Sequence, residues 1–186
     1  MAKKVLTEDE YEQIAGNMSK GIGFFNPSFV GTQDEALQWI VDNQLAPSPL
    51  GRAAFAENLL ENAVQIGAKQ YLIFAAGYDT FAYRQPGWAS KIQIFELDHP
   101  AVSGDKQKRM RSLAAEKPAN LHYVHADFRE NNWQSNLLSC AEFDESKISF
   151  CSLLGISYYL TKQVFSEMIE IISSFVPKGS SIVFDY

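Results

Sequence analysis

Gln70-Tyr-Leu-Ile-Phe-Ala-Ala-Gly-Tyr-Asp79-Thr80, followed by Ile92-Gln-Ile-Phe-Glu-Leu-Asp98-His-Pro100, decides the fold. The first stretch is an apolar run ending in small residues and a glycine, and the second is an apolar run ending in acids. Together they read as strand, tight turn, helix and a second strand carrying an acid. A nucleotide-like cofactor needs this arrangement. Glycine lets the backbone come close, and a carboxylate past the next strand accepts hydrogen bonds from ribose hydroxyls.

Outward from this pair the pattern alternates. Strand-like runs at 70–75, 91–97, 121–125, 148–154 and 181–186 are separated by helical segments near 79–88, 99–116, 131–139 and 161–176. That alternation specifies an α/β fold, a largely parallel sheet with helices on both faces. Pro100 suits a first helical turn, where its missing amide costs nothing. Thr161 reads as an N-cap, and the helix it opens ends before Pro177-Lys-Gly179.

The front of the chain reads as helical. Thr7-Glu-Asp-Glu10 has capping-box spacing at the start of a helix over 5–19. Lys20 to Gly31, with three phenylalanines, reads as a loop packing its aromatics onto a surface. A helix follows from Asp34 to Gln44, and Ala46-Pro-Ser-Pro-Leu-Gly51 breaks it. Helical spacing returns from Arg52 to Ile66, with Gly67 as its stop. The expected organisation is one domain, an N-terminal helical cap over 1–67 and a cofactor-binding core over 68–186. The last run, Ser181-Ile-Val-Phe-Asp185-Tyr186, has no following helix to cover it. The reading is a fragment whose C-terminal strands are missing, or a homodimer that covers the exposed edge.

Composition narrows the function classes. The chain has 186 residues, 46% of them hydrophobic, with a net charge of −6. Its basic residues are scattered apart from Lys106-Gln-Lys108-Arg109-Met-Arg111, read as the solvated face of a helix, so nucleic acid is not an expected partner. The two cysteines, Cys140 and Cys151, have neither metal-ligand spacing nor the number for a disulfide framework. A reduced, cytoplasmic setting is expected. No signal-like segment or membrane-length apolar run occurs, so no membrane partner is expected. Asn17-Met-Ser19 is a chance sequon in such a setting. His99, His122 and His125 show no metal spacing and read as structural, and no metal is called for.

Arg52-Ala-Ala-Phe, Ala75-Ala-Gly77-Tyr-Asp79-Thr80 through Tyr83-Arg84, Phe95-Glu96-Leu97-Asp98-His99-Pro100 and Ala126-Asp127-Phe128-Arg129 occur in that order, with Leu154-Gly155-Ile-Ser-Tyr-Tyr159-Leu160 as a looser fifth motif. In these motifs the chain resembles the leucine carboxyl methyltransferase-like family of S-adenosylmethionine-dependent methyltransferases, which includes bacterial polyketide-type O-methyltransferase members. The resemblance spans about residues 50–186. It implies a Rossmann-like class I fold with S-adenosyl-L-methionine as cofactor. By the same resemblance Arg52 meets the methionine carboxylate, Gly77 lets the cofactor approach, Asp98 holds the ribose, and Asp127 with the backbone of Phe128 contacts the adenine. These chemistries fit the residue types: a planar guanidinium for a carboxylate, carboxylates for hydroxyls and an amine. Two departures stand out. Ala75 replaces the leading glycine of the family's first turn, and Leu154 stands where the family has a glutamate.

Simpler readings stand beside these. Gly77 could be a helix-approach glycine, Asp98 an N-cap for the helix at Pro100, Asp127 a turn cap and Arg52 a solvent-exposed helix residue. Glu96 alternates with Asp98, so one of them faces a helix layer. Tyr158 and Tyr159 read as packing residues or as part of a transfer pocket. The expected function is S-adenosyl-L-methionine-dependent methylation, on oxygen of a small-molecule carboxylate or hydroxyl. A carboxylate needs no base, whereas a hydroxyl would call on His99 or a tyrosine. Alternatives are a module that keeps the fold without catalysis and a nicotinamide-dependent oxidoreductase, the latter weakened by the missing G-x-G-x-x-G series.

Overall fold

Each apolar run in the core forms a strand: β1 (Gln70–Phe74), β2 (Gln93–Asp98), β3 (Leu121–His125), β4 (Ser149–Leu153) and β5 (Ser181–Phe184). The computed structural model describes residues 8–130 and 132–186. The strands form one parallel sheet in the order β3-β2-β1-β4-β5, with Leu72 opposite Phe95 on one side and Cys151 on the other. β1 and β4 are buried at every position, which is why they read as continuous apolar runs. Strand order reverses between β1 and β4, so a crevice opens outside their carboxyl ends.

The chain divides into two compact units, residues 1–52 and 53–186. In the first, α1 (Glu8–Lys20), α2 (Ile22–Phe25) and α3 (Gln33–Ile40) are joined by short turns, and a wider helical turn follows at Val41–Leu45. Thr32 and Glu35 form a reciprocal capping box at the start of α3. The box expected at Thr7 lies outside the described residues. Phe24 and Phe25 meet each other edge to face.

The expected break at 46–51 does not occur, because α4 (Pro47–Gln65) starts at Pro47 and runs straight through it. Pro47 and Pro49 fall in the first turn, where amides have no intrahelical partner and proline is tolerated. Gly67, with φ +125°, ends the helix as expected, and Ala68 N–H donates back to the Ala63 carbonyl.

In the second unit alternation along the strands builds two cores. Tyr71, Ile73, Ile94, Leu121 and Phe150 meet Ala56, Leu60 and Ala63 of α4 on one face. Because these α4 residues belong to the sheet's core, the change of unit falls at 52, where the sequence placed it at 67. Leu72, Phe74, Phe95, Leu97 and Leu153 meet α6 (Ser135–Leu138) and α7 (Lys162–Phe175) on the other. Full burial of such side chains contributes about 1.5–3 kcal/mol each. The helix expected at 79–88 is replaced by two 3₁₀ segments, Phe81–Tyr83 and Gly87–Lys91, because Pro86-Gly87 interrupts it. β5 is not bare. Phe184 packs on Phe165 of α7, Ile182 joins the same core, and Val183 is buried on the opposite face.

The basic cluster is only partly a solvated face. Lys106, on α5 (Pro100–Ser112), reaches Glu96 Oε2 at 2.5 Å, and both side chains are at most 3% exposed. Glu96 is therefore the acid that faces a helix layer, and its Oε1 has no hydrogen-bond partner. Burial pushes its carboxyl up to about 7 against the opposing pull of Lys106. The folded-state value lies above the ordinary one, so stability from the protonated form is fully present below about pH 4.5 and is lost as pH rises through about 7. Lys106→Met should cost about 3–5 kcal/mol near pH 8, where an unpaired buried carboxylate remains. Urea denaturation should show that cost shrinking near pH 5.5, as Glu96 takes up a proton. An equal cost at both pH values would contradict this account.

Candidate functional site

The turn after β1 is set by its backbone. Ala75 and Gly77 have φ of +52° and +55°, and Asp79 N–H closes the turn onto the Ala76 carbonyl. Ala75 is thus in the left-handed region that favours glycine, the position where the family motif has one. At Gly77 a Cβ would meet only the Ala75 carbonyl oxygen, at 3.8 Å, so the space beside this residue is open. Asp79 Oδ1 accepts from Phe81 N–H at 2.7 Å and starts the following 3₁₀ segment.

Gly77 and Asp98 are brought together directly. The Gly77 amide donates to Asp98 Oδ2 at 2.6 Å, and the His99 amide donates to Asp98 Oδ1 at 2.7 Å. An ionised carboxylate has about four acceptor positions, so each oxygen keeps one for a ligand. Asp98 is not the helix cap. His99 is, with its Nδ1 accepting from Ala101 N–H at 3.2 Å. Tyr78 O–H donates to Asp105 Oδ2 at 2.5 Å, and Arg109 lies over the Tyr78 ring while bonding the same carboxylate. This clasp, which the sequence reading missed, ties the first turn to α5.

Asp127 follows β3 and faces the same end of the sheet. Arg129 bonds it through Nε at 2.7 Å, through its backbone amide and through Nη2, and holds the carboxyl well below the usual range. His99 Nε2 lies 3.8 Å from Asp127 Oδ2. The Phe128 ring turns into the core against Trp133 and Phe74, leaving its backbone at the strand end. Gly77, Asp98, Asp127 and Phe128 thus share the carboxyl ends of β1, β2 and β3. Arg52 is the last residue of the other unit, on α4.

Beyond β4, Gly155 has φ +71° and donates its amide to Asp185 Oδ1 at 2.8 Å, while Tyr158 O–H bonds Oδ2 at 2.5 Å. Leu154 packs against the core and offers no polar atom. Asp185, just past the end of β5, was not singled out from the sequence. Arg84, at the end of the second motif, pairs with Glu57 on α4. A concavity of about 260 Å³ lined by Glu61, Lys69, Trp88 and Lys91 lies near the amino ends of β1 and β2, away from these residues.

The sequence model of the family described as leucine carboxyl methyltransferase matches residues 2–173. The chain belongs to this family. It is 40% identical, over its whole length, to YktD of Bacillus subtilis, named as a candidate S-adenosyl-L-methionine-dependent methyltransferase. It is 32% identical over 78% of its length to Rv3399 of Mycobacterium tuberculosis, which bears the same description. The chain spans 62% of the first and 39% of the second, less than two thirds of either. Among solved structures, a candidate methyltransferase from Thermobifida fusca superposes with a TM-score of 0.58 at 17% identity, covering 92% of this chain and 65% of that one. A DUF574 family protein from Streptomyces avermitilis gives 0.57 at 14%, covering 89% and 66%. These two likenesses establish the Rossmann-like fold.

The family's glycine is testable as a matter of stability. A non-glycine residue in the left-handed region costs about 1–2 kcal/mol. Ala75→Gly should therefore stabilise the chain by about 1 kcal/mol net of the greater freedom of glycine when unfolded, raising Tm by about 2–4 °C. Calorimetry showing a lower Tm would contradict the strain at this position.

Proposed function

We propose that this chain binds S-adenosyl-L-methionine at the carboxyl ends of β1–β3 and serves oxygen methylation of a small molecule. The observation that carries the reading is the Gly77–Asp98 hydrogen bond, which sets an open glycine turn beside a carboxylate with acceptor capacity to spare. The residues fit the cofactor. Asp98 accepts the ribose hydroxyls, Gly77 admits the close approach, and the strand end at Asp127 and Phe128 borders the adenine. Arg129 already occupies Asp127, so adenine recognition there shares the carboxylate with an arginine and leans on the Phe128 backbone.

The cofactor supplies a methyl group activated by sulfonium, and the chain's own work is alignment and exclusion of water. Of the acceptors considered, a carboxylate suits the site better than a hydroxyl. His99 commits Nδ1 to capping α5, so Nε2 carries the ring hydrogen in the neutral form and is not poised as a base. A carboxylate is already a competent nucleophile at neutral pH and asks for none.

Asp98→Ala should weaken S-adenosyl-L-methionine binding by about 1.5–3 kcal/mol, roughly 10- to 150-fold, by isothermal titration at a temperature where the variant stays folded. It should also lose about 2 kcal/mol of stability, because two backbone amides lose their acceptor. Unchanged affinity would remove the ribose role. In thermal melts the wild type should be stabilised by S-adenosyl-L-methionine and not by NAD; the reverse would support the oxidoreductase alternative.

A further inference from the structure

Away from the strand ends that hold the proposed cofactor site, three side chains of metal-ligating type converge. His122 lies near the start of the edge strand β3, and Cys140 and Glu142 lie in the turn after α6. Cys140 Sγ is 3.2 Å from Glu142 Oε2, His122 Nδ1 is 3.8 Å from the same oxygen, and the three ligand atoms all lie within 4.8 Å of one another. Tetrahedral zinc, with bonds of about 2.3 Å to sulfur and about 2.0 Å to nitrogen or oxygen, places its ligand atoms about 3.3–3.5 Å apart. The observed spacings straddle that value.

The surroundings of His122 favour a metal ligand there. His122 Nε2 bonds Gln93 Oε1 at 2.7 Å. An amide oxygen only accepts, so Nε2 carries the hydrogen and Nδ1 turns its lone pair toward the thiol and carboxylate. This is the outer hydrogen bond that orients metal-binding imidazoles. The His122 ring is stacked on Phe95 at 5.0 Å, and Phe143 packs edge to face on Phe95. Phe143 N–H donates to the Cys140 carbonyl, so the turn that presents the other two ligands is anchored on that same aromatic residue. The His122 side chain is 15% exposed and that of Glu142 is 52% exposed, which leaves an entry path and room for a water as fourth ligand.

We propose that His122, Cys140 and Glu142 form a zinc site that clips the turn after α6 to the edge strand β3. Mixed sulfur, nitrogen and oxygen donors suit zinc over magnesium or calcium, which take oxygen alone. Cys140 binds as the thiolate, releasing its proton to solvent.

The test uses the reduced 186-residue chain, titrated with zinc against a chromogenic chelator and with cobalt followed by absorbance. One equivalent should bind, and cobalt should give the near-ultraviolet charge-transfer band of a thiolate ligand. Cys140→Ala should abolish the band and weaken zinc binding about 100-fold or more, and Glu142→Gln, at a half-exposed position where folding is safe, should weaken it about 10- to 100-fold. Glu145→Gln, an exposed acid in the same segment, should bind as the wild type does. Absence of the thiolate band, its persistence in Cys140→Ala, or wild-type affinity in folded Glu142→Gln would each overturn the site and leave a thiol hydrogen-bonded to a carboxylate beside a neutral imidazole.

Discussion

Asp98 accepts one amide hydrogen from the turn after β1 and one from the residue that caps α5. A single carboxylate therefore fixes three things relative to one another: the end of the central strand, the end of its neighbour and the start of the helix between β2 and β3. Bonds from backbone N–H to an ionised acceptor are among the stronger ones available to a protein. Their placement at the crevice means that the same group organises the turn and faces the ligand space. The Tyr78–Asp105–Arg109 clasp reinforces the arrangement from the solvent side, joining the turn to α5 a second time.

Beneath Asp98 on the same strand face lies Glu96, buried with Lys106. Two acids two residues apart on β2 thus have opposite fates. Asp98, at the strand end, takes backbone donors and keeps contact with solvent. Glu96, one pleat repeat inward, is covered by α5 and needs the lysine as counter-charge. The position along the strand, and not the residue type, separates the acid available to a ligand from the acid that holds a helix down.

The strands were legible because strands buried on both faces of a parallel sheet must be apolar at nearly every position, as β1 and β4 are. That Gly77, Asp98 and Asp127 stand at strand ends was legible because each closes or closely follows a strand-forming run. Local cues failed where tertiary contacts decide. Lys106 sits in a basic cluster and looks solvated until Glu96 is seen opposite it. Pro47 and Pro49 look like a break until they fall in a helix's first turn. His122 and Cys140 lie far apart in the chain, and only the turn anchored on Phe95 brings them together.

The two departures from the family pattern flank the point where strand order reverses. Ala75 follows β1 in a left-handed conformation that its methyl group disfavours, and Leu154 follows β4 with an apolar side chain packed against the core. The strained turn persists because both its ends are held, by the buried strand on one side and by the Asp98 bond on the other. At Leu154 no carboxylate is available to meet a ligand's charge or hydroxyl. Under the proposed function, polar recognition in the second unit therefore shifts toward the β2 and β3 side of the crevice. The β1–β4 side then contributes shape and exclusion of water, a division of labour that matches a reaction needing alignment more than proton transfer.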